Sequence, residues 1–213
     1  MENPIIVPFD LNTARKIKSG EIEGSVLIND IEIEFVYESK NCASPYNLLF
    51  VKKDGYGISA IYANTEVRYI GLKHRYMSFA ISLTEHDIIQ LLDDDSREES
   101  GSGTYYEREC DALFDIDGRG NTERLVTRNP KLRNLLEDGE YIPSLGQLNL
   151  MAHYMDELNK AFAYVSASPL SSTWYWSSTE SSQAVAWYVV FSNGLTGTGN
   201  KHIGDMVRAV IDF

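Results

Sequence analysis

The reactive and metal-binding side chains of this 213-residue chain are few and widely spread. His74, His86, His153 and His202 fall in four separate regions, without the short spacings that bring imidazoles onto one metal ion. Asp93, Asp94 and Asp95 form an acidic run. No alternating oxygen-ligand pattern accompanies it, so it reads as a solvated charge run. In DIDGRGN, Asp115, Asp117 and Asn121 match part of a calcium-loop pattern. The third acidic position and the terminal Glu are missing, which favours a glycine-rich turn with a helix cap. No G-x-S-x-G elbow, H-E-x-x-H pair or phosphate-binding glycine loop occurs. Cys42 and Cys110 stand far apart and read as free thiols. The expectation is a non-enzymatic chain with no metal and no cofactor.

Composition narrows the class further. Apolar content of 43% and charged content of 23% are those of a globular protein. A formal net charge of -12, with no basic stripe to offset it, argues against tracking a nucleic-acid backbone. No apolar run approaches the roughly 20 residues that span a bilayer, and membrane insertion is not expected. The start, MENPIIVPFD, has neither a basic nor an apolar signal region, so cytoplasmic synthesis is the expectation.

The elements around these residues divide in two. Residues 1–72 read as a small helix-plus-antiparallel-sheet domain. Asp10 caps a helix over residues 11–19 that Gly20 ends. The runs GSVLI and IEIEFVY flank Asn29-Asp30, and LLFVKKDGYGISAIY turns at Asp54-Gly55. Residues 73–213 form the second domain, with the boundary placed between 70 and 104. RYMSFAISL is a strand, and EHDIIQLL has a short helical pattern. Asn121 is expected to cap a helix over TERLVTR, and Asn129-Pro130 to open another that ends before Gly139.

Ser144 and Gln147 spell a capping box for a longer helix. Leu148, Met151, Met155, Leu158 and Phe162 give that helix one apolar stripe, with His153 on the opposite, solvent face. The remainder has strand period. Trp174 and Trp176 share one side and Tyr175 takes the other, AWYVVF is apolar on both faces, and Asn193-Gly194 signals a hairpin. The fold class is α+β.

The ordered series GEYIPSLGQL, amphipathic helix, WYWSSTE, AWYVVFSNG, NK and VRAV resembles the Lcl C-terminal-like domain. That domain belongs to the C-type-lectin-like superfamily, related to formylglycine-generating enzymes, with relatives in proteins of gut bacteria and their phages. The resemblance covers residues 104–213 and extends toward residue 74. It implies that RYMSFAIS pairs with MVRAVIDF. It also suggests a structural role for Arg208 as an inward-bridging cation served by a carboxylate or backbone carbonyls, with a surface arginine as the simpler alternative. The oxidising relatives depend on cysteines that the half after Cys110 lacks, and the E-P-N, Q-P-D and W-N-D triplets of calcium-dependent lectins are absent.

What the resemblance leaves is a binding surface for a protein or glycan ligand. Its phage version would be receptor-binding or retroelement-diversified, with the phage particle as an alternative location. The matching stretches are read as two loops, SSTESSQ and LTGTGNKHIG, offering Glu180, Ser182, Gln183, Asn193, Thr196, Thr198, Asn200 and His202. Ordinary polar loops between core strands account for the same residues. Trp176 and Trp187 are assigned to the scaffold. The rival to a binder is a structural or assembly subunit of a bacterial or phage complex, with homo-oligomerisation among the expected associations.

Overall fold

The computed structural model describes residues 25–28, 31–34, 48–52, 57–58, 67–74, 77–96 and 104–212, with side chains from residue 67 onward. The helix expected over 11–19, both N-terminal turns and Cys42 lie outside the described residues. Strands β1 (Ser25–Ile28) and β2 (Ile31–Glu34) pair antiparallel, Val26 opposite Ile33.

One five-stranded sheet collects β3 (Leu48–Lys52), β4 (Gly57–Ile58), β5 (Val67–His74), β6 (Met77–Ser82) and the final strand β12 (Val210–Asp212), in the order β12-β6-β5-β3-β4. The second collects β7 (His86–Ile89), β8 (Trp174–Glu180), β9 (Val185–Val190), β10 (Leu195–Asn200) and β11 (Asp205–Val207), in the order β10-β9-β8-β11-β7. The helices are α1 (Glu109–Ala112), α2 (Gly118–Arg128), a 3-10 helix over Pro130–Leu135, α3 (Leu145–His153) and α4 (Met155–Tyr164). The class is α+β.

The last strand returns beside the strand from the middle of the chain: Val210 lies opposite Ile81, Ile211 opposite Ala80 and Asp212 opposite Phe79. The sheet continues through β5 into β3 and β4, so it runs across the boundary expected near residue 72.

Two cores flank the β8–β9 pair, because period-two alternation sends neighbouring residues to opposite faces. Tyr175, Trp187 and Val189 face a core built with Ile70, Leu72, Phe79, Ile81 and the helical residues Leu148, Met151, Leu158 and Phe162. Trp176 and Ala186 face a second core with Leu125, Leu132, Ile142 and Val207, under α2 and the 3-10 helix. Trp174 shares the Trp176 side but is exposed, stacked on Tyr188 with ring centroids 4.6 Å apart.

Several local expectations are corrected. EHDIIQLL is not helical: its middle is strand β7, held against β11 with Ile89 opposite Asp205. Ile88 there takes φ 57°, in the left-handed region that a helix interior excludes. Pairing across the sheet overrides a weak local pattern. Asp117, not Asn121, caps α2, its carboxylate accepting from the Gly120 N–H at 3.0 Å. The single helix expected after Ser144 is broken at Tyr154, where ψ is 19°, into α3 and α4. The capping box is formed. Leu148, Met151, Leu158 and Phe162 are buried, Met155 is partly so, and His153 is exposed.

The two expected ligand loops are largely strand. Ser177 to Glu180 belong to β8 and are buried, and Leu195 to Asn200 are β10. The small polar side chains mislead because they are consumed inside. Ser177 donates to the Trp187 carbonyl at 2.8 Å, and Thr179 donates to Asp115 at 2.6 Å while accepting from the Leu145 N–H.

Candidate functional site

The charged residue at the end of β8 is part of a buried ionic cluster. Glu180 is 5% exposed and accepts from Arg128 at 2.7 Å and from Lys201, which has no exposure. Lys201 also donates to the carbonyls of Ser182 and Gln183, both at 2.9 Å, and Arg128 donates to Gln183 O at 2.7 Å. One carboxylate thus gathers two cations, which together hold the β8–β9 turn by its backbone. Burial pulls the Lys201 ammonium down to about 8, against the opposing pull of Glu180. All three ammonium protons have acceptors. The arrangement is that of a structural tie, and Glu180 is spent within it.

The DIDGRGN stretch is equally committed. Asp115 is buried and accepts from Asn121 at 2.7 Å, from Thr179 at 2.6 Å and from the Asp117 N–H at 3.0 Å. Its oxygens are filled by protein donors rather than aimed at an ion. Among the described residues, no group of three or more His, Cys, Asp and Glu side chains is placed to hold a metal. The acidic run is ion-paired: Lys131 reaches Asp93 at 2.8 Å and Asp95 at 2.7 Å.

A cavity of about 740 Å³ opens on another side, where three parts of the chain converge. The β5–β6 connection brings His74 and Met77, the α3–α4 break brings Asn149, His153 and Asp156, and the β9–β10 turn brings Ser192, Asn193 and Gly194. Asn149 and His153 are four residues apart on α3 and so share a face. Tyr154, at the break, has His153 edge-on at 4.9 Å and His74 at 6.2 Å between ring centroids. Gly194 takes φ 70°, and the space beside it is open. Amides, hydroxyls, imidazoles and one carboxylate rim the cleft, with Met77, Leu113, Leu150, Met155 and Phe191 among its apolar part. Such a wall can donate and accept hydrogen bonds while seating an apolar face, as ligand clefts do.

The eight residues expected to bind do not form one site. Asn193 alone of them lines the cleft. Ser182, Gln183 and Asn200 sit at the far end of the β9–β10 hairpin, around Lys201. His202 is exposed just beyond, its N–H on the Asn200 side chain at 3.0 Å. Thr196 contacts Glu109, and Thr198 is exposed along β10. Trp176 and Trp187 are buried, their indoles donating to the carbonyls of Ile203 and Tyr106. Arg208 has no exposure and donates to backbone carbonyls. Asn149 and Asp156 went unmarked in the sequence, and His74 stood there only as a histidine without ligand spacing, because nothing local distinguishes them before the fold brings them together.

Buried phenols set an alkaline limit on this scaffold. Burial, then a hydrogen bond to Glu85, pushes Tyr175 up to about 12, and burial followed by Asp212 raises Tyr141. Both retain protons that an unfolded tyrosine loses near pH ~10. Their stabilisation is therefore complete below that pH, and that of Tyr175 is lost as pH rises through about 12. Lys201 has the opposite sign, adding stability between about 8 and the ordinary lysine value of ~10.4. Urea midpoints should fall steeply only above pH ~10.4, in step with the rise of phenolate absorbance. A midpoint already falling between pH 8 and 10 would contradict this assignment.

No family model matches the chain, and no curated protein matches it. Among solved structures its fold is similar to that of a fimbrial protein from Bacteroides ovatus, with a TM-score of 0.58 and 17% sequence identity. The likeness covers 78% of this chain and 48% of the fimbrial protein, so the chain matches about half that protein's length. At this identity the likeness is one of fold. No described helix is long and apolar enough to cross a membrane.

Proposed function

We propose that the chain is a non-enzymatic recognition module, built on a C-type-lectin-like scaffold, that takes a protein or glycan ligand in the cleft between α3–α4 and the β9–β10 turn. The observation that carries this reading is the cleft itself: about 740 Å³ of open space rimmed by polar groups from three separate elements. The strongest charges elsewhere, Glu180, Lys201, Arg128 and Arg208, are occupied in structural bonds. The scaffold assignment draws support from the pairing of β6 with β12, which the sequence resemblance implies. The similarity to a protein described as fimbrial favours use at a bacterial surface or in an appendage.

The test is an array of glycans and peptides probed with the purified chain, followed by titration of whatever binds. Asn149→Ala with Asn193→Ala should weaken binding about tenfold, since each amide removes a hydrogen bond of roughly 0.5–1.5 kcal/mol. Ser182→Ala with Asn200→Ala, at the other end of the hairpin, should leave affinity unchanged. The opposite pattern would move the site away from the cleft. The rival assembly reading is favoured by Phe114, an aromatic side chain 85% exposed between α1 and α2. A Phe114→Ser chain that loses association but keeps ligand binding would support it.

A further inference from the structure

We infer that strand β10 is a docking edge for a second copy of this chain, the two strands pairing antiparallel about Thr198. This goes beyond the cleft and does not depend on it. β10 ends its sheet, and it pairs with β9 on one side only, from Leu195 opposite Val190 to Asn200 opposite Val185, without a register break. The Lys201 N–H continues the ladder to Ala184 O at 3.0 Å. Antiparallel pairs alternate between bonded and non-bonded positions. Gly199 and Gly197 therefore bond to β9, while Thr196, Thr198 and Asn200 turn their backbone groups outward. Of these, only the Asn200 carbonyl has a backbone partner among the described residues, the Ile203 N–H.

Exposed edges are ordinarily blunted by a charge, a proline or a bulge. LTGTGN has none of them. An extended strand is the chemistry that such an edge accepts. A second copy paired about Thr198 brings no charge of the strand against itself and covers apolar side chains at both ends. Pairing there sets Thr196 against Asn200 in both directions, Gly197 against Gly199, and Thr198 against itself. Glu109, held on the Thr196 hydroxyl, then meets an amide of the other copy instead of a second carboxylate. The same register carries Leu195 of one copy toward Lys201 to Ile203 of the other. Leu195 and Ile203 are 62% and 60% exposed, so each end of the joined strands gains apolar cover. The net charge of -12 on each copy opposes association, which salt relieves.

Sedimentation velocity on the whole chain, across the micromolar range at about 0.05 and about 0.5 M salt, tests the inference. The expected result is a reversible dimer whose fraction rises with concentration and with salt. Thr198→Pro removes only an outward N–H, and Thr198→Lys places a charge on the edge. Both should move association to at least tenfold higher concentration with an unchanged near-ultraviolet circular dichroism spectrum, while Thr127→Lys, exposed on α2, should associate as the native chain does. If Thr198→Pro disturbs the fold, Thr198→Lys decides. A native chain that stays monomeric at both salts, or edge variants that associate like it, would overturn the inference. Ligand titration at the cleft is read separately, so either proposal can fail without the other.

Discussion

A Glu180→Gln chain should unfold with about 3–5 kcal/mol less free energy than the native chain in urea titrations. The substitution keeps shape and removes one charge. It leaves Arg128 and Lys201, 7% and 0% exposed, facing each other without the carboxylate that both contact. Two buried cations then share a site in low dielectric, which is the expensive half of breaking a buried pair. Lys201→Met should lose less, because Glu180 retains Arg128 at 2.7 Å and methionine fills the vacated volume. That ordering is the discriminating readout. Equal losses would mean that packing, not charge, holds the β8–β9 turn; a Glu180→Gln loss under about 1 kcal/mol, the range of exposed pairs, would remove the cluster from the stability argument.

The same residues show what the sequence could convey. Hydrophobic period made Tyr175, Trp176 and AWYVVF legible as core strands, since burial of alternate positions leaves that signature directly. The Ser144–Gln147 box and the Asn193-Gly194 turn were legible because their chemistry is local: each involves residues no more than a few positions apart. Glu180 was misread for the complementary reason. Its partners stand 52 and 21 residues away, and a serine-rich context looks like a loop until those partners arrive. β7 failed similarly, its strand state being imposed by β11 from more than a hundred residues on. The cleft was illegible in principle. Each residue along its rim is ordinary in its own element, and its composition exists only after β5–β6, α3–α4 and β9–β10 meet.

Arg208→Met should also lose about 3–5 kcal/mol, through a different mechanism. The guanidinium donates to Leu83 O and Ser168 O at 2.9 Å, Pro169 O at 3.1 Å and Ser82 O at 3.3 Å. It lies 4.9 Å above the Phe162 ring, with Glu85 at 3.5 Å. It thus joins the end of β6, the loop after α4 and the turn between β11 and β12. Methionine keeps volume against Phe162 but strips donors from four carbonyls, groups that are costly to leave unpaired when buried. Arg208→Lys should recover less than half, because a single ammonium cannot reproduce a planar fork spanning two backbone segments. The consequence reaches the closing strand. Without the clamp, the β6–β12 pairing should loosen before the rest, so amide exchange at Ser82, whose N–H donates to Ala209 O at 2.9 Å, should accelerate more than at Val189. Uniform acceleration across both sheets would assign Arg208 to global stability alone. Native-like stability in Arg208→Met would show that water replaces the guanidinium at these carbonyls, and that the terminal strand is held by its own ladder.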